Sequence, residues 1–274
     1  MKKLNRRTRV LILTITMAII FITIYLLGIF IPDEAVAGSF LNAKKAPSWE
    51  HPFGTDAVGR DLLMRTLKGL SVSITVGIIA SVISAVIAVF VGIAAATGSK
   101  RLDDFINWCI DVVMSVPHTI LVILIAVAMG RGLKGIRVGI AATHWCSLAR
   151  LIRGEVLQLR SQQYVLVSRK LGKSSSWILI HHLLPHLVSQ FFVGLILLFP
   201  HAILHEASIS FLGFGLNPEQ PAIGIILSES MRYISTGMWW QAVLPGTTLV
   251  LIVLLVDKLG DNMRMILDPY SAQE

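Results

Sequence analysis

Residues 69–99 read GLSVSITVGIIASVISAVIAVFVGIAAATGS, 31 residues without a charged side chain. A helix of about 20 apolar residues crosses the hydrocarbon core of a bilayer, so this run is long enough with turns to spare. It is too long for a strand of about 4–8 residues, and the chain has no ten-residue alternating segments of the kind that build a membrane barrel. Uncharged runs recur at Val10–Pro32 (23 residues), Val112–Gly130 (19 residues) and Tyr233–Val256 (24 residues). Ser174–His205 also lacks a formal charge and turns apolar near Leu187. Only 15% of the 274 residues are charged and 54% are hydrophobic, against about 25% charged in soluble domains. The expected class is an all-α, multi-pass membrane protein.

One short segment decides the topology. Val138–Ala149 is 12 residues between Arg137 and Arg150, and Arg150 and Arg153 can snorkel to extend it. If it does not span, residues 131–186 become one external loop with nine Lys/Arg and a single acid, Glu155, which the positive-inside rule disfavours. Six transmembrane helices with cytoplasmic N- and C-termini are therefore expected. The first run follows a basic start and precedes Ala35-Val36-Ala37, which resembles a signal-peptidase site. At 23 residues it exceeds the about 7–15 residues of a signal-peptide core, so an uncleaved anchor is expected.

The divisions expected are 1–68 (N-terminal tail, first helix and external segment), 69–269 (the transmembrane domain) and 270–274 (a tail). The net charge of +8 needs no nucleic-acid partner, because cytoplasmic loops beside anionic membrane lipid account for it. Cys109 and Cys146 fall in or beside expected spans, so no disulfide framework is implied.

Known catalytic patterns fail on inspection. Gly172-Lys173-Ser174 matches the end of a phosphate-binding loop, but the first glycine of that pattern is replaced by Val167 and no strand precedes it. His205-Glu206 begins like a zinc-protease helix, yet the second histidine position holds Ile209. No catalytic residues are assigned, and an enzyme is not expected.

Residues 164–186, YVLVSRKLGKSSSWILIHHLLPH, lie on the cytoplasmic side of the six-span arrangement. Tyr164–Leu171 can form a short helix that Gly172 ends in the left-handed conformation. Ser174–Ser176 can cap a second helix, which Pro185 is expected to stop at Leu184. The alternatives are a solvated hairpin and a contact surface for another protein.

This loop resembles the conserved cytoplasmic loop of ABC-importer permeases, with Leu166-Val167-Ser168 where Glu-Ala-Ala is usual, then Gly172, and His182-Leu183-Leu184-Pro185 closing it. The acid of the first position is absent. His51-Pro52-Phe53-Gly54-Thr55-Asp56-Ala57-Val58-Gly59-Arg60-Asp61, Ser210-Phe211-Leu212-Gly213-Phe214-Gly215, and Leu259-Gly260-Asp261 with Leu267-Asp268-Pro269 resemble further elements of the dipeptide/oligopeptide/nickel permeases, specifically their second permease subunit. The similarity runs over 219 of 274 residues, from His51 to Pro269. It implies the type I ABC-importer permease fold in the inner membrane of a prokaryote. It also implies three kinds of partner: a second homologous permease subunit, two ATP-binding subunits and an extracytoplasmic substrate-binding protein. ATP and Mg would be bound by the partner ATPases, with no cofactor in this chain. ATPase-coupling residues implied are Leu166, Val167, Ser168, Arg169, Gly172, Ser174, Trp177, His182 and Pro185.

Ionisable residues within spans are functional candidates: Asp111, His118, His144, His201, His205, Glu206 and Glu229. His201 and His205, four apart on one helix face, have a spacing able to ligate one metal ion. The histidine pair, His144-Trp145 and the missing acid resemble the nickel branch. Nickel or a metal chelate is the expected cargo, with di- or oligopeptides as the alternative and a self-sufficient channel as a third reading.

Overall fold

The computed structural model describes residues 6–217 and 220–267. Lys2, Lys3, Asp268, Pro269 and the 270–274 tail lie outside the described residues. Helix α1 spans Arg6–Phe30, and two single 3-10 turns follow before α2, Leu62–Thr97. Next come α3 (Lys100–Ser115), α4 (His118–Ala128) and α5 (Gly132–Arg160). A small hairpin of α6 (Gln163–Lys170) and α7 (Ser175–Ile178) leads through a π-helical turn, Leu179–Leu183, into α8 (Leu184–Phe211). The short α9 (Ile223–Ile234) and the long α10 (Trp240–Leu267) complete the fold. Among the described residues the only β pairing is one isolated bridge, Thr55 to Asp61.

Among the described residues four rods are long and apolar enough to cross a membrane: Thr8–Phe30, Leu62–Thr97, Ser175–Phe211 and Trp240–Ile266. A fifth exists if α3 and α4 count as one span, broken by a bend of 94°. The run Val112–Gly130 is thus divided between the end of α3 and the whole of α4. Pro117 disfavours helical backbone at the residue before it, and Val116 is extended (φ −88°, ψ 137°). Helix α5 has 29 residues, about 43 Å at 1.5 Å per residue, but the basic residues at its ends keep it out of the apolar set. The 68/69 division falls inside α2, and the run Tyr233–Val256 is divided by a turn that separates α9 from α10.

Packing rests on small side chains. Ser81, Ser84, Ala85, Ala88, Gly92, Ala95 and Ala96 recur along one side of α2, and all are buried. Small residues at such spacing let helix backbones approach closely in a membrane, where apolar burial drives no association. A β-carbon on Gly92 would sit 2.8 Å from Ala149 O and 2.9 Å from Ile152 Cβ of α5. The Ser84 hydroxyl donates to Ala141 O at 3.3 Å. Large apolar residues point the other way: Leu11, Ile12, Ile15 and Ile19 on α1 and Leu251 and Leu254 on α10 are exposed, as lipid-facing positions require.

At the end where α2 begins, residues 51–61 form a compact knot. Asp61 Oδ1 caps α2 by accepting Met64 N–H at 3.0 Å, and its other oxygen lies 2.7 Å from His51 Nδ1. Asp56 Oδ1 accepts the Val58 and Arg60 N–H groups at 2.9 and 3.0 Å. Gly59 has φ +80°, and a β-carbon there would collide with Ser39 O.

Candidate functional site

The opposite end of the bundle carries the α6–α7 hairpin. Gly172 closes α6 with φ +80°, while Lys173 N–H donates to Ser168 O and Gly172 N–H to Arg169 O. This is the paired bonding of a glycine helix stop. Ser174 Oγ accepts Trp177 N–H at 3.2 Å and starts α7. Pro185 does not stop the second helix at Leu184. The π turn, in which Leu184 N–H reaches back to Leu179 O, widens the backbone so that Pro185 falls in the first turn of α8. There its missing N–H costs little. Ser175–Phe211 is consequently one rod of 37 residues, running from hairpin to bundle interior.

Side chains hold the hairpin together. Ser168 Oγ donates its one proton to Tyr164 O at 2.9 Å, so the His182 Nε2 at 2.9 Å donates to Ser168. Trp177 stacks on His181 with centroids 4.3 Å apart and meets His182 edge-on at 5.2 Å. Lys173 Nζ lies 4.8 Å over the Trp177 ring, a cation–π arrangement. Val165, Ile178 and Leu183 are buried in one core cluster with Ile152, Val156 and Leu159 of α5. Leu166, Val167 and Leu171 remain exposed beside the exposed Arg169. The hairpin is thus anchored to the bundle on one side and shows apolar and basic side chains on the other.

The intramembrane candidates separate into three places. His118, His144 and His205 converge, with one ligand nitrogen from each within 4.8 Å of the others. His201, one turn earlier on α8, is exposed and lies outside this set. Glu206 is fully buried beside it, accepting Ser210 Oγ–H at 2.8 Å. Asp111 pairs with Arg150 on an exposed surface. Glu229 belongs to an ion network at the α2-start end: Arg65 lies 2.6 Å from Glu229 and 3.0 Å from Asp56, and Arg60 lies 3.3 Å and 2.6 Å from the same two.

Sequence reasoning did not assign Asp56, Arg60 or Arg65 to a site. The signal was the Asp-x-x-x-Arg spacing inside residues 51–61, but nothing local names Glu229 as their partner. The network borders a cavity of about 220 Å³ reached also by Tyr233 and Gln241. Gln241 Nε2–H donates to Thr55 O at 3.2 Å, tying α10 to the same knot. Ser210-Phe211-Leu212-Gly213-Phe214-Gly215 ends α8: Phe214 N–H donates to Ile209 O, Gly213 N–H to Ser210 O, and Gly132 N–H to Gly215 O. That last bond joins the α4–α5 turn to the end of α8.

Comparisons with known proteins give the family and the fold. The chain is 34% identical over 261 residues to the dipeptide transport system permease protein DppC of Bacillus subtilis, covering 93% of this chain and 82% of that protein. It is also 34% identical to the oligopeptide transport system permease protein OppC of the same organism, covering 92% of this chain and 83% of the relative. Among solved structures, an inward-facing conformation of the MetNI methionine ABC transporter matches with a TM-score of 0.63. That match is at 17% identity and covers 76% of this chain and 98% of the other, which establishes the fold. Residues 88–270 match the family described as binding-protein-dependent transport system inner membrane component. This chain is a multi-pass inner-membrane protein and belongs to that family of transport permeases.

Proposed function

We propose that this chain is the permease subunit of an ATP-driven importer of di- or oligopeptides, with six spans and both termini on the cytoplasmic side. Nickel or a metal chelate was the cargo expected from the sequence, but relatives named for dipeptide and oligopeptide transport at 34% identity favour the peptide alternative. Membership of the permease family argues against a self-sufficient channel. The partners are two ATP- and Mg-binding subunits, a second homologous permease subunit and an extracytoplasmic substrate-binding protein.

The observation that carries the mechanism is the unbroken rod from α7 into α8. Residues 164–186 dock on the ATPases through Leu166, Val167, Ser168, Arg169 and Trp177, while Gly172, Ser174, His182 and Pro185 shape the hairpin. ATP binding stabilises one arrangement of the ATPases. A rigid connection passes that preference to α8, and differential stabilisation of two states is what shifts an equilibrium. Leu166, exposed where the family's acid is usual, offers the partner an apolar side chain in its place.

The test is uptake of a radiolabelled dipeptide by cells lacking this gene and by the same cells with it restored. Uptake is expected to fall to background and return on complementation. Unchanged dipeptide and oligopeptide uptake would overturn the peptide reading.

A further inference from the structure

Three imidazoles from three helices meet where the α3–α4 span bends. His118 is the first residue of α4, directly after the break at Pro117. His144 lies near the middle of α5, and His205 sits in the second half of α8. Ring centroids are 4.5 Å apart for His118 and His144, 4.4 Å for His118 and His205, and 5.2 Å for His144 and His205. Residues separated this far in sequence come together only through packing, inside a membrane where polar groups are costly.

Ring-to-ring bonding does not explain the meeting, because none of the three rings hydrogen-bonds another among the described residues. His144 Nδ1 lies 3.0 Å from Ile140 O. A carbonyl accepts only from N–H, so Nδ1 carries the proton and Nε2 keeps its lone pair. Orientation of a ligating histidine by a backbone carbonyl is the usual support of a metal ligand. His118 Nδ1 is buried with no hydrogen-bond partner among the described residues, an expensive arrangement unless something else fills the place. Carboxylates form no bond to these rings among the described residues, so the donor set is three nitrogens.

We infer that His118, His144 and His205 form a site for one late first-row divalent metal ion, open on one side to a ligand from the passing solute. Imidazole donors suit cobalt, nickel, copper and zinc. Three protein ligands leave at least one position free, as in metal sites that bind a further molecule. Metal–nitrogen bonds of 2.0–2.1 Å put tetrahedral nitrogens about 3.4 Å apart. The three nitrogens already lie within 4.8 Å of one another, so a closure of about 1.4 Å or less per pair reaches that spacing. The place fits as well, since broken helices in transporters gather solute and ion sites. The pair His201 and His205 does not make this site; His205 joins histidines of two other helices. The ion binding stands on this geometry, and only its meaning for transport rests on the permease reading.

The experiment is a Co²⁺ titration of the full-length chain in nanodiscs, together with the subunits that co-purify with it, read by visible absorption. One arm uses Co²⁺ alone and a second uses Co²⁺ premixed with Gly-Gly-His, which separates a naked ion from one brought on a chelating peptide. A ligand-field band saturating at one Co²⁺ per chain is expected in at least one arm. It should weaken in His144→Ala and His205→Gln by more than the about 10–100-fold that loss of an outer-shell partner costs, and persist in His201→Ala. Equal thermal melting of the metal-free variants guards against misfolding, and His118→Ala provides an independent third variant. No band in either arm, or a band of equal affinity in all the histidine variants, would overturn the site. Loss of dipeptide uptake on gene deletion tests the transport reading separately, so either can fail alone.

Discussion

The Ser168 hydroxyl accepts a hydrogen bond from His182 Nε2 at 2.9 Å, across 14 residues of chain. That contact joins the helix before Gly172 to the rod after it, and in the proposed mechanism it delivers a push on α6 to α8. Replacing Ser168 by Ala removes the acceptor and leaves the half-buried imidazole N–H unsatisfied, at a cost of about 1–3 kcal/mol. Transport driven by ATP should fall several-fold while ATPase activity becomes less dependent on solute. Unchanged coupling, measured in proteoliposomes, would show that the bond transmits nothing.

Gly172 occupies a left-handed conformation, and among the described residues nothing lies within 4 Å of where a β-carbon would stand. The expected penalty of Gly172→Val is therefore backbone strain, about 1–2 kcal/mol, with no steric clash. Asparagine tolerates this conformation better, so Gly172→Asn should retain more uptake than Gly172→Val. Both variants should reach the membrane in normal amounts, which immunoblotting of membrane fractions checks. Equal uptake by both would count against a conformational role.

Close approach of α2 and α5 depends on Gly92, whose β-carbon would press on Ala149 O and Ile152 Cβ. Overpacking of this kind costs about 1–3 kcal/mol. Gly92→Leu should lower the melting temperature in detergent and reduce accumulation, whereas Val82→Leu, at an exposed position of the same helix, should change neither.

Arg65 is only 3% exposed and bridges Asp56 to Glu229. Removing it leaves two carboxylates sharing Arg60, a loss of about 3–5 kcal/mol by analogy with other broken buried pairs. Arg65→Ala should destabilise far more than Glu229→Gln, since Glu229 is 37% exposed at its side chain. Thermal melting of the two variants decides it; equal shifts would mean that the network is not centred on Arg65.

What could be read from the sequence was local. Uncharged runs such as 69–99 announce membrane helices, because bilayer thickness sets a length that composition alone can meet. The stop at Gly172 and the cap at Ser174 were legible because each is settled by bonds within a few residues. Pro185 was misread because a π turn, which depends on how the rod meets the bundle, absorbs it. The bend at Pro117 was present as a proline, but its 94° angle is set by what α3 and α4 pack against.

Tertiary structure alone decided the rest. Nothing in residue spacing couples Arg65 to Glu229, 164 positions away, or selects His118 and His144 over His201 as neighbours of His205. Those meetings follow from the small-residue face of α2 seating α5 closely and from the break that brings α4 across to α8. Backbone chemistry acts over one or two turns, and the sequence carries it openly. Contacts between distant helices are set by how side-chain volumes fit once all the helices are in place, and only the packed bundle reveals them.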